Sequence, residues 1–251
     1  MKNTLVLFMR LMKHIIRSPE TIVTAMVQPI CLMLLFVYVF GGAIKASLPL
    51  EVNYVTFQLP GILLMTIAYN TAYTAVRMFG DREKGIFSRF NSMPMSRSSA
   101  LWAQVLSSVV SSIFTLVAVF AVAYIIGFRT EATFYEWLVI AGILIALTFA
   151  LTWVAIIPGL VAKTSDGAFF FAFPLIFLPM LSSAFAPTET MPSALRFFAE
   201  NQPMTPMVEA IRSLFYSESI GNDLWITFAW CLGTMTVAWL IAMRVYRRKL
   251  L

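Results

Sequence analysis

Long apolar runs separated by short charged segments make up most of this 251-residue chain. A helix that crosses the ~30 Å hydrocarbon layer of a membrane needs about 20 apolar residues, because a charge at its centre is costly to insert. Six runs meet that length: residues 21–44, 52–76, 98–128, 137–162, 167–188 and 224–243. They are continuous rather than alternating, which favours helices over barrel strands. The pattern predicts an all-α polytopic membrane protein with six transmembrane helices.

The first 20 residues follow a different pattern. Apolar residues recur at helical spacing over residues 5–16, while Arg10, Lys13 and Arg17 fall largely on the other side. This is typical of an amphipathic helix that lies in the membrane interface. Pro19 breaks that helix, so the chain can turn into the bilayer. We therefore predict an N-terminal interfacial helix within residues 1–20.

The segment 186–223, between the fifth and sixth runs, is too apolar to be freely exposed. It carries Phe197 and Phe198, and Pro203 and Pro206 divide it into two short helical pieces. Backbone that enters a bilayer without crossing it is tolerated where protein covers it. The sequence therefore predicts a re-entrant helical hairpin in the outer leaflet.

The basic residues divide the connecting segments into two groups. Segments 1–20, 77–97, 163–166 and 244–251 hold 14 basic and 4 acidic residues, whereas segments 45–51, 129–136 and 189–223 hold 4 basic and 8 acidic residues. Lys and Arg collect on the cytoplasmic side of membrane proteins. We therefore expect the first group, and with it both termini, to be cytoplasmic.

Composition narrows the possible functions. With 60% hydrophobic and 12% charged residues, the chain is not a water-soluble protein. The apolar runs hold no acid, base or histidine away from their ends, which argues against an ion-driven transporter or an intramembrane protease. The two cysteines lie inside runs and suggest no metal site. There is no phosphate-binding loop, so we expect no nucleotide site on this chain. We also expect no catalytic residues and no bound cofactor.

One face of the second run is polar. Thr66, Tyr69, Asn70, Tyr73 and Arg77 recur at intervals of three and four, so a single helix face carries all of them. Polar side chains in a membrane need a partner or a water-filled cavity. Hydrogen bonding between helices and lining of a substrate path or dimer interface are both consistent with this face, and both turn it away from lipid.

The fifth run is interrupted by Pro174 and Pro179 and carries an aromatic stripe. Phe170, Phe173 and Phe177 share one face at i, i+3 and i+7. Packing or lipid contact is one interpretation of this stripe. A hydrophobic substrate path is the other.

The segment 77–101 is the one long polar stretch in the first two thirds of the chain. From Asp81 to Arg97 it reads DREKGIFSRFNSMPMSR, which resembles the signature of the type-2 ATP-binding-cassette exporter permeases, most closely the daunorubicin-resistance-like subgroup. The resemblance extends over nearly the whole chain. It includes, in order, Gln28-Pro29, Phe40-Gly41-Gly42, Pro60-Gly61, Glu200-Asn201-Gln202-Pro203, Thr205-Pro206 and Arg212.

The resemblance implies a permease that pairs with a second copy of itself or a homologous permease, and with two cytoplasmic ABC ATPase subunits that bind ATP and Mg. It also implies that the segment 77–101 contains a coupling helix that docks on the ATPase. The residues expected to couple are Asp81, Arg82, Glu83, Lys84, Gly85, Arg89, Phe90, Met93, Pro94 and Arg97. The remainder of a single transmembrane domain 1–251 would be spans one and two (21–76), spans three to five (102–185), and span six with its basic tail (224–251).

We therefore predict a multi-pass permease of the bacterial inner membrane that exports amphiphilic or hydrophobic compounds, with drug or antibiotic efflux as the first choice. Aromatic and Met-rich spans offer dispersion contacts and no fixed charge to match an ionic cargo. Export of a lipid or lipid-linked glycan by the same mechanism is an alternative. A non-transporting scaffold and an intramembrane lipid-modifying enzyme are rivals from other classes. No nucleic-acid partner is expected.

Overall fold

The computed structural model describes residues 2–16, 19–42, 53–86, 99–219 and 221–250. Within these residues all regular secondary structure is helical. The α-helices are α1 (Lys2–Ile16), α2 (Pro19–Leu35), α3 (Tyr54–Glu83), α4 (Ser99–Ile126), α5 (Phe134–Val161), α6 (Ser165–Ala172), α7 (Pro174–Met180), α8 (Ser193–Asn201), α9 (Met204–Phe215) and α10 (Asp223–Leu250). A π-helical segment, Phe36–Phe40, extends α2, and a 3-10 turn, Thr188–Thr190, precedes α8.

Five helices in this part of the chain are long and apolar enough to cross a membrane: Val23–Phe40, Tyr54–Glu83, Ser99–Ile126, Phe134–Val161 and Asp223–Arg248. They correspond to predicted spans one to four and six. The predicted fifth span is shorter, because helix is found only over Ser165–Met180. At 1.5 Å per residue this piece is roughly 24 Å long. The chain then turns at Leu181, just after Pro179, so the sixth crossing is not confirmed.

Helix α3 is the centre of the bundle. Almost every side chain from Tyr54 to Ala68 is buried, and the helix contacts α2, α4, α5, α6, α7 and α9. It also extends past the predicted end of span two, Val76, to Glu83, so the first residues of the segment 77–101 are helical rather than loop. Hydropathy marks where the apolar run ends, whereas the helix continues into charged residues.

Small residues let α3 approach its neighbours closely. A Cβ built on Gly159 of α5 would lie 2.7 Å from both the backbone oxygen of Ala75 and Cβ of Met78 on α3. A Cβ built on Gly61 would overlap Cβ of Ala184, in the turn after α7. Because lipid tails are as apolar as Leu, close van der Waals packing of this kind drives helix association in membranes.

The connecting segments lie at two opposite ends of the bundle. Arg82 donates to the backbone oxygens of Leu160 and Ala162, which puts the ends of α3 and α5 together. At the other end, Asn53 donates to the oxygen of Gly127 and Thr56 donates to the oxygen of Arg129. This division matches the predicted one between basic-rich and acidic segments.

Helix α1 and the last turns of α10 belong to the same end as Arg82. Leu7 of α1 lines a cavity with Asp81 at the end of α3, and Tyr246 of α10 packs in the cluster that holds Met78 and Leu160. We name this end of the molecule, marked by Arg82, Lys84, Lys163, Leu7 and Tyr246, the basic end. Which side of a membrane it faces stays a prediction.

The segment 186–223 forms two helical pieces, as predicted, although only Pro203 lies between them, since Pro206 is in the first turns of α9. Helix α9 is almost wholly buried on its apolar side, whereas Phe197 of α8 is 71% exposed. Entry of this hairpin into a membrane leaflet remains a prediction.

Arg212 fastens α9 to the bundle. Its guanidinium donates to the oxygens of Phe57 and Ser183 at 3.2 and 2.9 Å, pairs with Glu209 at 2.8 Å, and stands 3.8 Å from the ring centroid of Phe57. Burial lowers its pKa, and Glu209 opposes that shift. Arginine stays charged in proteins, so this is a nearly buried, well-paired cation.

Replacing Gly159 with alanine is expected to destabilise the fold by about 1–3 kcal/mol, because the new methyl group meets backbone that cannot move aside easily. The check is the thermal unfolding midpoint of the purified protein in detergent. Gly142→Ala is the matched control on the same helix, since a Cβ there has nothing within 4 Å. Equal midpoints for the two variants would contradict the close approach of α3 and α5.

Arg212→Gln is expected to destabilise the fold by about 3 kcal/mol, because it leaves the carboxylate of Glu209 and two backbone oxygens without their charged donor. Arg196→Gln removes an exposed ion pair to Glu200 on α8 and is expected to change stability by less than about 1 kcal/mol. Chemical denaturation of both variants gives the comparison. A larger loss for Arg196→Gln would show that α9 is not held as described.

Candidate functional site

The predicted coupling residues begin on the last turn of α3. Lys84 and Gly85 end the helix: the N–H of Lys84 donates to the oxygen of Gly80, and Gly85 has a φ of +65°. A glycine in this left-handed conformation is a common helix stop. Glu83 and Lys84 are exposed at the basic end and available to a partner protein. Arg89, Phe90, Met93, Pro94 and Arg97 lie outside the described residues.

Arg82 has a different role from its neighbours. Its guanidinium points back into the bundle and donates to the oxygens of Leu160 and Ala162 at 2.5 and 2.6 Å. It also lies over the ring of Phe79 at 5.0 Å. The last carbonyls of a helix have no partner within it, and a cation there is favourable. Arg82 therefore caps the C-terminus of α5 from α3.

Asp81 lines a small cavity with Arg10 of α1 and Gln104 of α4. The cavity volume is about 20 Å³, which is room for about one water molecule. Nε2 of Gln104 is buried beside it and has no hydrogen-bond partner among the described residues. Helix α1 therefore meets the end of α3 at a polar junction.

The predicted polar face of α3 divides into two kinds of residue. Thr66 and Asn70 are buried and bond within their own helix, Thr66 to the oxygen of Ile62 and Asn70 to the oxygen of Thr66. Such bonds satisfy a polar side chain without any neighbour. Neither residue forms a hydrogen bond to another helix among residues 2–16, 19–42, 53–86, 99–219 and 221–250, although such bonds were one of the two interpretations.

Tyr69 and Tyr73 are half-buried on the same face. The side chain of Tyr69 lies near that of Gln28 on α2, and the ring of Tyr73 lies 5.8 Å from the ring of Phe169 on α6. The two tyrosines therefore lie at a partly open strip of α3 between α2 and α6. Their role in a substrate path stays a prediction.

The aromatic stripe lies beside this strip. The rings of Phe170 and Phe173 stack at 6.1 Å, and Phe173 meets Phe177 edge-on at 4.8 Å. Phe170 is 73% exposed, and Phe173 and Phe177 keep 36% and 42% of their surface exposed, so the described chain leaves part of the stripe accessible. The stripe is therefore free to contact lipid, a second subunit or a substrate.

Three hydroxyl groups join α3, α4 and α5 in the interior. Oγ of Ser108 lies 3.0 Å from Oγ1 of Thr74 and 3.1 Å from Oγ1 of Thr152. Nη2 of Arg77 donates to Oγ1 of Thr74 at 2.8 Å, while its buried Nε has no partner in the part of the chain that the structure describes. We call Thr74, Ser108 and Thr152 the hydroxyl triad.

The structure adds contacts that sequence reasoning missed. Nothing in the apolar pattern of the third run indicated that Ser108 bridges two other helices. Arg82 was grouped with the expected partner-binding residues, because the sequence does not show which way the side chain of an arginine outside an apolar run points.

Within the described residues no cluster of His, Cys, Asp and Glu could hold a metal ion.

Comparisons with known proteins give one consistent result. The sequence profile of the ABC-2 type transporter family matches residues 2–216. The daunorubicin resistance ABC transporter permease protein DrrB1 of Streptomyces coeruleorubidus is 27% identical over 92% of this chain and 81% of its own length. The transport permease ycf38 of Cyanophora paradoxa is 30% identical over 85% of this chain and 74% of its own length. The doxorubicin resistance permease DrrC of Mycobacterium tuberculosis is 22% identical over 98% and 88%.

Arg82→Gln is expected to destabilise the fold by about 2 kcal/mol, because the carbonyls of Leu160 and Ala162 lose a charged donor. Lys84→Gln, two residues away and exposed, is the matched control and is expected to leave the unfolding midpoint unchanged. The measurement is thermal unfolding in detergent. If both variants unfold together with the unmodified protein, Arg82 does not link α3 to α5.

Proposed function

Because the chain belongs to the ABC-2 type transporter family, we propose that it is the membrane permease subunit of an exporter powered by ATP hydrolysis on a separate ABC ATPase chain. Its cargo is an amphiphilic or hydrophobic compound, with drug or antibiotic efflux as the first choice. It works in the bacterial inner membrane, with the basic end in the cytoplasm. The chain contributes no nucleotide site of its own.

The observation that carries this proposal is the continuity of α3. One uninterrupted helix holds Tyr69 and Tyr73 in its middle and Glu83 and Lys84 at its end. The distance from Tyr69 to Lys84 along the helix is roughly 22 Å at 1.5 Å per residue. A displacement of the exposed end of α3 is therefore transmitted to the tyrosine strip along one helix, with no loop between them.

Helix α3 does not move alone in this mechanism. Arg82, the hydroxyl triad and the contact at Gly159 tie it to α5, and the triad also includes α4. Packed elements respond to a local shift by moving as a body rather than by stretching. Spans two, three and four accordingly move together as one rigid body when the ATPase closes.

The transport path lies between the rigid body formed by spans two, three and four and a second copy of the chain or a homologous permease. Support comes from the partly exposed Phe170 stripe and from α2, whose spanning part is mostly exposed. Both flank the half-buried Tyr69 and Tyr73. Two such strips facing each other would enclose a cavity with aromatic walls and two hydroxyl groups from each subunit.

A cargo of low charge fits these walls. The side chains at the strip offer ring faces and hydroxyls but no ion, which suits planar amphiphiles. The relative DrrB1 is named for daunorubicin resistance, which supports this class. Export of a lipid or lipid-linked glycan would use the same mechanism with a longer cargo.

Reconstitution with an ABC ATPase tests the proposal. We expect the ATPase to co-purify with the chain, and daunorubicin to stimulate ATP hydrolysis in proteoliposomes. Lys84→Glu is expected to weaken association about tenfold, because it places a like charge in a complementary interface. Glu218→Lys, an exposed charge reversal at the opposite end, is the matched control and is expected to have no effect.

The outcomes separate the rival functions. If no ATPase associates, the exporter proposal fails and a scaffold is favoured. If an ATPase associates and lipid rather than drug stimulates hydrolysis, the cargo is a lipid.

A further inference from the structure

An apolar groove lies between α5 and the broken helix formed by α6 and α7. It is separate from the tyrosine strip of α3 and from the aromatic stripe. Val154, Ile157 and Val161 line it on α5, and Phe171 and Leu175 line it on the opposite wall. Its volume is about 280 Å³, and every lining residue is apolar. The groove lies beside α5, one of the five helices long and apolar enough to cross a membrane, so we expect lipid around it.

The groove faces away from the transport strip. Successive residues of a helix are separated by about 100°, so Phe171 and Leu175 lie roughly opposite the face that carries Phe170, Phe173 and Phe177. A second subunit seated on the Phe170 stripe would therefore leave the groove open to the bilayer. Left empty, its walls would lack contact atoms on one side, which is unfavourable.

The basic-end mouth of the groove carries features that suit an anion. Val161 is the last residue of α5, and the exposed Lys163 follows it in the link to α6. Helix α6 begins at Ser165, so the positive end of its dipole lies at the same link, although the N–H of Gly167 already donates to Oγ1 of Thr164. Asp166, also exposed, is the acidic residue that opposes them in the first turn.

We propose that this groove binds an acyl chain of an anionic phospholipid, with the phosphate beside Lys163 at the basic end of the bundle. The apolar walls hold the chain by dispersion contacts. Lys163 and the start of α6 select the negative headgroup. Such a lipid would hold the broken helix α6–α7 against α5, where the protein itself leaves a gap.

Spin-labelled lipids test the proposal on the purified full-length chain in nanodiscs. Phosphatidylglycerol and phosphatidylcholine, each with a nitroxide on one acyl chain, are compared by the motionally restricted fraction of the spectrum. We expect phosphatidylglycerol to associate about fivefold more strongly, as one lysine near an anionic headgroup gives. Lys163→Gln is expected to remove that preference and leave the restricted fraction of phosphatidylcholine unchanged.

A bulky residue at the mouth tests the groove itself. Val161→Trp is expected to reduce the restricted lipid by about one molecule per chain, because the indole occupies the space of the acyl chain. Val117→Trp, at a 61% exposed position on α4, is the matched control that adds a tryptophan without filling a groove. If Val161→Trp does not fold, Ile157→Phe narrows the same groove with a smaller change.

Equal association of the two lipids with the unmodified protein would overturn the proposal, as would a restricted fraction that neither groove variant changes. A disulfide between copies through Val161→Cys, in a background without Cys31 and Cys231, would also overturn it, because a second copy would then occupy the groove. The readout needs no ATP hydrolysis, so it fails or succeeds separately from the proposed function.

Discussion

Close contact between α3 and α5 is the constraint on which the rest of the structure depends. In a membrane, apolar burial alone does not favour one helix pairing over another, so shape and a few polar contacts must do so. Gly159 supplies the shape, and Arg82 and the hydroxyl triad supply the polar contacts. The other helices are arranged around this pair: α4 joins it through Ser108, and α10 packs on the far side of α5.

The way in which the polar side chains of α3 are hydrogen-bonded also bears on function. Most buried hydroxyls on α3 bond carbonyls of their own helix, which leaves the surface of the helix apolar to its neighbours. Tyr69 and Tyr73 are exceptions that reach toward α2 and α6, on the side away from α5. A helix held firmly on one side and lined by half-buried tyrosines on the other is suited to the proposed function, in which motion passes from a partner at the basic end to the tyrosine strip.

The sequence predicted the parts of the fold that depend on long apolar runs. It did not predict which way a charged side chain points or where a helix ends. Five helices long and apolar enough to cross a membrane, the N-terminal helix α1 and the division at Pro203 follow from hydropathy and proline positions. The extension of α3 to Glu83 was missed, because charged residues can continue a helix beyond the bilayer. Pro174 and Pro179 were noticed, but not that the helix would end near Met180, since neighbours decide whether a proline kinks or stops a helix.

The central claim is that α3 and α5 move as one body when the ATPase partner binds nucleotide. The most direct measurement is the distance between a spin label at Gly80, near the end of α3, where an added Cβ meets nothing within 4 Å, and one at the exposed Tyr135, at the far end of α5, in the reconstituted complex. The account predicts that trapping ATP leaves the distance from Gly80 to Tyr135 unchanged while that from Gly80 to Phe170 changes. A change in the first distance would contradict it.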